Sequence, residues 1–112
     1  MKTQHIVTAC KLSEIFPYEK VMACYGHISS KARTDEKAIA SNNSYISNSM
    51  NKKHPAFRAH IGHFMQKFPF LKREFIVLGK FDDLDEAEVC RDNWLLEMKN
   101  KGYNVLNSKV KG

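Results

Sequence analysis

The chain has 112 residues, of which 43% are hydrophobic and 11% aromatic, and it carries 18 Lys and Arg against 12 Asp and Glu. This length favours a single domain spanning residues 1–112, and the apolar content excludes a largely disordered chain. The uncharged apolar runs are far shorter than the roughly 20 residues that cross a bilayer, and residues 1–5 lead into no signal-peptide core. We therefore expect a soluble, cytoplasmic protein that has no membrane partner.

The three cysteines, Cys10, Cys24 and Cys90, are an odd number and form no CxxC pair. This spacing disfavours both a disulfide framework and a four-cysteine zinc site. Free cysteine is among the most buried residue types, so we expect all three to be reduced core residues.

The net charge of +6 is distributed unevenly along the chain. Residues 31–73 carry nine basic and two acidic side chains, a balance of +7, whereas residues 82–97 carry seven acids and one arginine. A basic segment favours a polyanionic partner, because phosphate contacts release counterions and give affinity that does not depend on base sequence. A solvated basic face without a partner is the alternative.

In chain order, the first half predicts two strands and then a helical region. Residues 5–10 form a short run with several β-branched side chains, and residues 20–28 form a second apolar run. Pro17 lies in the connection between them. This pattern predicts two strands and is compatible with a hairpin. Residues 32–40 have helical composition, whereas the Ser- and Asn-rich stretch 41–53 predicts a loop or a frayed helix start.

The second half predicts a helix, a strand and a helix. Apolar side chains recur at helical spacing between Pro55, which suits a first helical turn, and Pro69, which ends the pattern. Residues 74–81 are rich in strand formers. Asp83 begins a helix as its N-cap and Gly102 ends it. The order of elements predicts a small α/β or α+β domain.

The apolar stripe of this last helix is interrupted by Glu88 and Arg91. One interpretation is a helix-surface ion pair at i and i+3, which stabilises a helix by only tenths of a kcal/mol. The other is that the Glu88 carboxylate lies at the edge of the core, where it can coordinate a divalent cation.

Two histidines, His60 and His63, are spaced so that they share one face of the predicted Pro55 helix. No third ligand with a recognised zinc spacing accompanies them. We expect them to contact phosphate or orient a water, together with Arg58 and Lys67, with ordinary surface residues as the alternative.

Several common catalytic and nucleotide-binding motifs are missing. The chain contains no GxxxxGK[ST], GxGxxG, GxSxG or HExxH string, so we expect no nucleotide cofactor, no serine hydrolase and no zincin protease. The residues by themselves therefore predict a small basic domain that binds nucleic acid.

Residues 70–107 resemble the second half of the GIY-YIG nuclease domain of phage homing endonucleases. In that family a strand and a short turn lead to a helix with a metal-binding glutamate, then to an aromatic-aliphatic pair and a Gly-Tyr-Asn close. The matching strings here are Trp94-Leu95 and Gly102-Tyr103-Asn104. The resemblance implies an α+β fold with a small three-stranded sheet flanked by helices, in a protein of phage or mobile-element origin acting in a bacterial host cell.

The resemblance also implies a function, a metal-dependent DNA endonuclease of nicking or homing type that uses Mg²⁺ or Mn²⁺. It places Tyr25 beside the attacking water, Arg33 beside the developing charge on the phosphate, and Glu88 at the metal. The Asn-rich stretch before Pro55 would face DNA. The DNA-binding candidates are Lys31, Lys52, Lys53, Arg58, His60, His63, Lys67 and Asn104.

The chain departs from the family pattern at three points, which leave the activity open. Residues 5–10 contain no tyrosine, the second name motif is reduced to Cys24-Tyr25-Gly26, and Arg91 stands where the glutamate is expected. If Glu88, one turn earlier, takes that role, the chain nicks or cleaves DNA. Otherwise it is an inactive nuclease fold that binds DNA as a repressor or interference factor. An AP2-like DNA-binding module, suggested by residues 77–87, is a third alternative. The oligomeric state does not follow from the sequence.

Overall fold

The computed structural model describes residues 4–14 and 20–107 and has both helices and a sheet, which confirms the α+β class. The predicted connection at Pro17 lies outside the described residues. No helix in the described part of the chain is both long and apolar enough to cross a bilayer. The elements are β1 (His5–Glu14), β2 (Lys20–Ser29), α1 (Asp35–Asn48), a 3-10 helix (Pro55–Arg58), α2 (His60–Lys67), β3 (Lys72–Phe81), α3 (Leu84–Asn100) and β4 (Asn104–Val105).

Within residues 4–14 and 20–107 the sheet has four strands, in the order β3-β1-β2-β4, so the prediction of three strands is wrong. β1 is antiparallel to both β2 and β3, whereas β4 runs parallel to β2 at the edge. β4 has only two residues, too few to show the alternation by which a strand is recognised in a sequence. Its pairing with Ala23 and Cys24 extends through Leu106, whose backbone N–H donates to the Cys24 carbonyl at 2.9 Å.

Helices pack on both faces of the sheet. On one face, the Asn42 side chain of α1 donates to the Thr8 hydroxyl of β1 at 3.0 Å. Thr8 pairs with His27 of β2, and the residue just before His27, Gly26, contacts Leu95 of α3. Because neighbouring residues of a strand point to opposite faces, α1 and α3 lie on opposite sides of the sheet. The main core cluster joins the sheet to α1, the 3-10 helix and α2, and its buried residues are Cys10, Leu12, Ala23, Tyr25, Ile46, Ala56, Ile61, Met65 and Leu106.

Helix α1 continues through the Ser- and Asn-rich stretch to Asn48, where a loop or frayed helix start was expected. Thr34 caps its beginning by accepting a hydrogen bond from the Lys37 backbone N–H at 3.2 Å. Ala38, Asn42 and Ile46 are fully buried at a spacing of four residues. Burial of this stripe against the sheet outweighs the weak helix propensity of serine and asparagine.

The helix predicted after Pro55 is divided into the 3-10 helix and α2, with Ala59 between them. His54 caps the 3-10 helix, since its Nδ1 accepts from the Ala56 N–H at 3.1 Å. Gly62 packs directly on the carbonyls of Ala56 and Phe57, and a Cβ there would overlap both oxygens. This close contact allows the chain to turn sharply between the two short helices.

Helix α3 begins and ends as its sequence predicts. The Asp83 carboxylate accepts from the Asp85 N–H at 3.1 Å. Gly102, at a φ of 92°, donates to the Lys99 carbonyl, and Tyr103 donates to the Met98 carbonyl. These two bonds form a Schellman motif, which needs a residue that adopts positive φ without strain.

All three cysteines are free, as predicted, and two of them are fully buried. Burial raises the pKa of the Cys10 thiol to about 12 and that of Cys24 to about 11. Both thiols therefore stay protonated and unreactive at neutral pH. Cys90 differs from the prediction because it is only partly buried, on the side of α3 near Phe81.

Candidate nucleic-acid interface

Tyr25 lies on the α1 face of β2 and is only 7% exposed. Its ring stacks on Tyr45 of α1, with centroids 5.4 Å apart and an angle of 3° between the rings. Burial, with a smaller contribution from Tyr45, raises the pKa of the Tyr25 phenol above its ordinary value of 10. A buried phenol that stays neutral is a poor base for an attacking water at neutral pH.

His27 is a neighbour of Tyr25 that the sequence analysis did not select. Its Nδ1 lies 3.4 Å from the Tyr25 hydroxyl, and its Nε2 lies 3.1 Å from the Ser41 hydroxyl. Burial lowers the pKa of His27 below its ordinary 6.5, and the charge of Arg91 lowers it further. The ring is therefore neutral at pH 7. Its position two residues after Tyr25 on an alternating strand was the only signal for it in the sequence.

Arg91 packs along β2 from the α3 side of the sheet. A Cβ added to Gly26 would lie 2.8 Å from Arg91 Cγ, so the missing side chain of Gly26 provides the space that Arg91 occupies. Arg91 Nε donates to Asp92 Oδ1 at 3.0 Å, and its side chain is 22% exposed. In the described part of the chain, the carboxylate that pairs with Arg91 is therefore Asp92, and not Glu88 of the surface pair considered above.

The three predicted catalytic residues lie in different environments. Tyr25 is buried, Arg33 is exposed in the connection between β2 and α1, and Glu88 is partly buried in α3. Among residues 4–14 and 20–107, no hydrogen bond or ion pair joins any two of them, and Glu88 has no polar partner. The same residues contain no group of three or more His, Cys, Asp and Glu side chains placed to hold a metal ion.

The predicted DNA-binding residues are all exposed. Most of them lie between α1 and the end of α2, and Asn104 lies apart from them at the β4 edge of the sheet. Seven basic residues between positions 31 and 67 are exposed and form no ion pair within the described residues. These seven are Lys31, Arg33, Lys37, Lys52, Lys53, Arg58 and Lys67.

Among the described residues, the acids that lie nearest to these seven in the chain are Asp35 and Glu36, in the first turn of α1. The ion pairs among the described residues join Lys80 to Asp35, Arg91 to Asp92 and Lys101 to Glu97.

Comparison of the chain with protein-family models, with curated proteins and with solved structures found no match.

Proposed function

We propose that this chain is a DNA-binding protein with a GIY-YIG-like α+β fold, and that it holds DNA mainly through phosphate contacts. The observation that carries the proposal is the set of seven exposed basic residues between positions 31 and 67 that have no carboxylate partner within the described residues. Such residues bind counterions in free solution and release them when phosphates take their place, which drives association. The role that we propose for such a protein is that of a repressor or interference factor.

Arg91 argues against metal-dependent cleavage. By the resemblance above, a metal-binding glutamate is expected at this position, and the chain has a guanidinium packed against Gly26. A guanidinium repels a divalent cation, so Arg91 cannot take the place of that glutamate at a metal. Tyr25, which is buried and whose phenol has a raised pKa, is also poorly suited to activate water.

The proposal is tested with two triple variants that remove the same charge. The first replaces Lys52, Lys53 and Arg58 with alanine, and the second replaces Lys80, Lys99 and Lys101, of which the first and last are already paired with carboxylates. Binding of a labelled DNA duplex is measured by fluorescence anisotropy at several salt concentrations.

The first variant should lower the slope of log K against log salt by about 2.7, because each lost phosphate contact removes about 0.9 from it. The second variant should leave the slope nearly unchanged. Equal slopes for the two variants would show that the charge of the whole protein, and not the surface between α1 and α2, determines binding.

A metal-dependent endonuclease is the second candidate, and Glu88 is the observation in its favour. Its carboxylate is partly buried and has no polar partner among the described residues. Mg²⁺ is commonly bound through one or two carboxylates together with substrate phosphates, so Glu88 supplies the minimum protein contribution for Mg²⁺ or Mn²⁺. Such an ion would stabilise the charge that develops on the phosphate, and Arg33 would act on the same charge.

This second candidate is tested by incubating supercoiled plasmid with the protein and either Mg²⁺ or Mn²⁺. A nuclease should produce nicked circles, and Glu88→Gln should abolish them while DNA binding is retained. Arg33→Ala should lower turnover far more than affinity, because an arginine directed at developing charge acts on the transition state. If the parent protein binds the plasmid tightly and leaves it supercoiled with both metals, this candidate fails.

A further inference from the structure

A shallow cavity of about 470 Å³ lies between the end of β2 and the first two turns of α1. It is separate from the exposed stretch between α1 and α2 that carries Lys52, Lys53 and Arg58. Its polar lining comes from three serines and two lysines, which are Ser29, Ser30, Lys31, Lys37 and Ser41.

Ser29 is the unusual member of this lining. It is only 5% exposed, and its hydroxyl has no hydrogen-bond partner among the described residues. The other two serines have partners, since Ser30 Oγ lies 2.6 Å from His5 Nδ1 and Ser41 Oγ lies 3.1 Å from His27 Nε2. Buried hydroxyl groups nearly always have a partner, and an unmatched one calls for an explanation. This oxygen is itself buried, so a ligand in the cavity accepts its hydrogen bond only once the Ser29 side chain rotates towards the cavity that the residue lines.

The charge around the cavity indicates the chemistry of that ligand. Lys31 and Lys37 line it, and neither forms an ion pair within the described residues. The first turn of α1 contains two acids, Asp35 and Glu36, but neither of them lines the cavity. Asp35 is also paired with Lys80 at 3.0 Å. Two lysines with a hydroxyl donor suit an oxyanion.

We propose that this cavity binds one phosphoryl group. The Ser29 hydroxyl donates to a phosphate oxygen, and Lys31 and Lys37 balance the negative charge. The phosphoryl group belongs either to the DNA backbone or to free phosphate and small phosphorylated molecules. For the DNA source the inference rests on the proposed function, whereas binding of free phosphate does not depend on it.

The test follows backbone amide signals of the full chain by NMR during titration with inorganic phosphate at constant ionic strength. The amides of residues 28–31, Lys37 and Ser41 should shift and saturate. Ser29→Ala should weaken phosphate binding about tenfold, the usual effect of losing a hydrogen bond to a charged group. Its melting temperature should be equal to or above that of the parent, because the hydroxyl that is removed has no partner in the fold.

Ser44→Ala is the control, since Ser44 is an exposed serine of α1 outside the cavity. It should leave phosphate binding unchanged. Lys37→Gln is a second variant that keeps the backbone and the hydroxyl, and it should also weaken binding. Equal phosphate affinity of the parent, Ser29→Ala and Lys37→Gln would overturn the proposal.

A second titration, with a short DNA duplex, distinguishes the two sources of the phosphoryl group. If DNA shifts the cavity amides and phosphate competes with it, the cavity takes a backbone phosphate. If phosphate shifts them and DNA shifts no signal, the cavity site stands and the proposed DNA binding fails. If neither ligand shifts the cavity amides, the cavity proposal is overturned, even where DNA shifts the signals of residues 51–67.

Discussion

The two long helices pack on opposite faces of the sheet and are stabilised in different ways. Helix α3 has an acidic first turn, Lys99 in its last turn, a side-chain cap from Asp83 and a Schellman end at Gly102. Helix α1 also has a side-chain cap and an acidic first turn, but it has no basic residue in its last turn and it buries a polar side chain, Asn42. Local signals therefore mark both ends of α3, whereas the far end of α1 has fewer of them and its extension depends on contacts with the sheet.

This difference coincides with the distribution of candidate binding groups. The stacked Tyr25, the unpartnered Ser29 and the phosphoryl cavity lie beside α1, and the exposed basic stretch follows it in the chain. Helix α3 carries five of the seven acids of segment 82–97. Ser29, whose hydroxyl has no partner among the described residues, lies where we propose that a ligand binds, beside the helix with fewer local signals at its end.

The largest expected loss of stability comes from a substitution that disrupts the packing of α3. Leu95 is fully buried against β2 at Gly26. Leu95→Ala should lower the free energy of unfolding by about 2–5 kcal/mol, because it removes apolar contacts and leaves a cavity. Urea denaturation measures this change. Val89→Ala is the control on the same helix, since Val89 is 57% exposed, and it should have a much smaller effect.

The next effect concerns the polar interior of α1. Asn42→Ala removes the hydrogen bond to Thr8 and leaves a buried hydroxyl unpaired, which should cost about 1–3 kcal/mol of stability. The same denaturation experiment measures it, with Ser44→Ala as the exposed control. If Asn42→Ala proves as stable as the control, the hydrogen bond to the sheet is not what holds α1 in place.

A smaller effect is the pH dependence that comes from His27. Its folded-state pKa lies below the ordinary 6.5, so the unfolded chain takes up a proton first as the pH falls. His27 therefore contributes its full stability above pH 6.5, and this contribution is lost as the pH falls from 6.5 towards the lower folded-state value. Thermal melts between pH 8 and pH 5 should show this loss of stability. The loss should be smaller in His27→Gln, because this variant removes at most one proton from the uptake that accompanies unfolding. If the variant and the parent have the same pH profile, the pKa of His27 is not lowered in the folded protein.

The smallest effect is expected at the ion pair between Lys80 and Asp35. Both side chains are nearly half exposed, at 44% and 48%. Lys80→Gln should therefore change stability by less than about 1 kcal/mol, and 1 M salt should reduce even that difference. A loss that is larger and independent of salt would mean that this pair anchors the beginning of α1 to β3.

The predictability of each element follows from where its stabilising contacts lie in the sequence. The ends of α3 were predicted because Asp83 and Gly102 act on atoms within a few residues of themselves. The extension of α1 was missed because it depends on β1, which pairs with it only in the folded chain. Strand β4 was missed for the same reason, since its partner, Ala23, lies about 80 residues away in the chain.

The features of the candidate site also differ in whether the sequence could predict them. The exposure of the basic residues could be predicted, because a run of lysine, arginine and histidine with few acids stays in water. The stacking of Tyr25 on Tyr45 and the packing of Arg91 on Gly26 could not, because each joins residues that are distant in the chain. The family resemblance led to Glu88 as a replacement carboxylate, but it did not indicate where Arg91 would lie.

The most direct test of the proposed function is the affinity of the parent protein for a DNA duplex, measured by fluorescence anisotropy in EDTA at several salt concentrations. Binding through phosphates predicts tight binding without a divalent metal and a linear fall of log K with log salt, with a slope of about −3 or steeper for three or more phosphate contacts. The slope should be similar for unrelated DNA sequences. Binding that is absent at low salt, or that appears only when Mg²⁺ is added, would contradict the account.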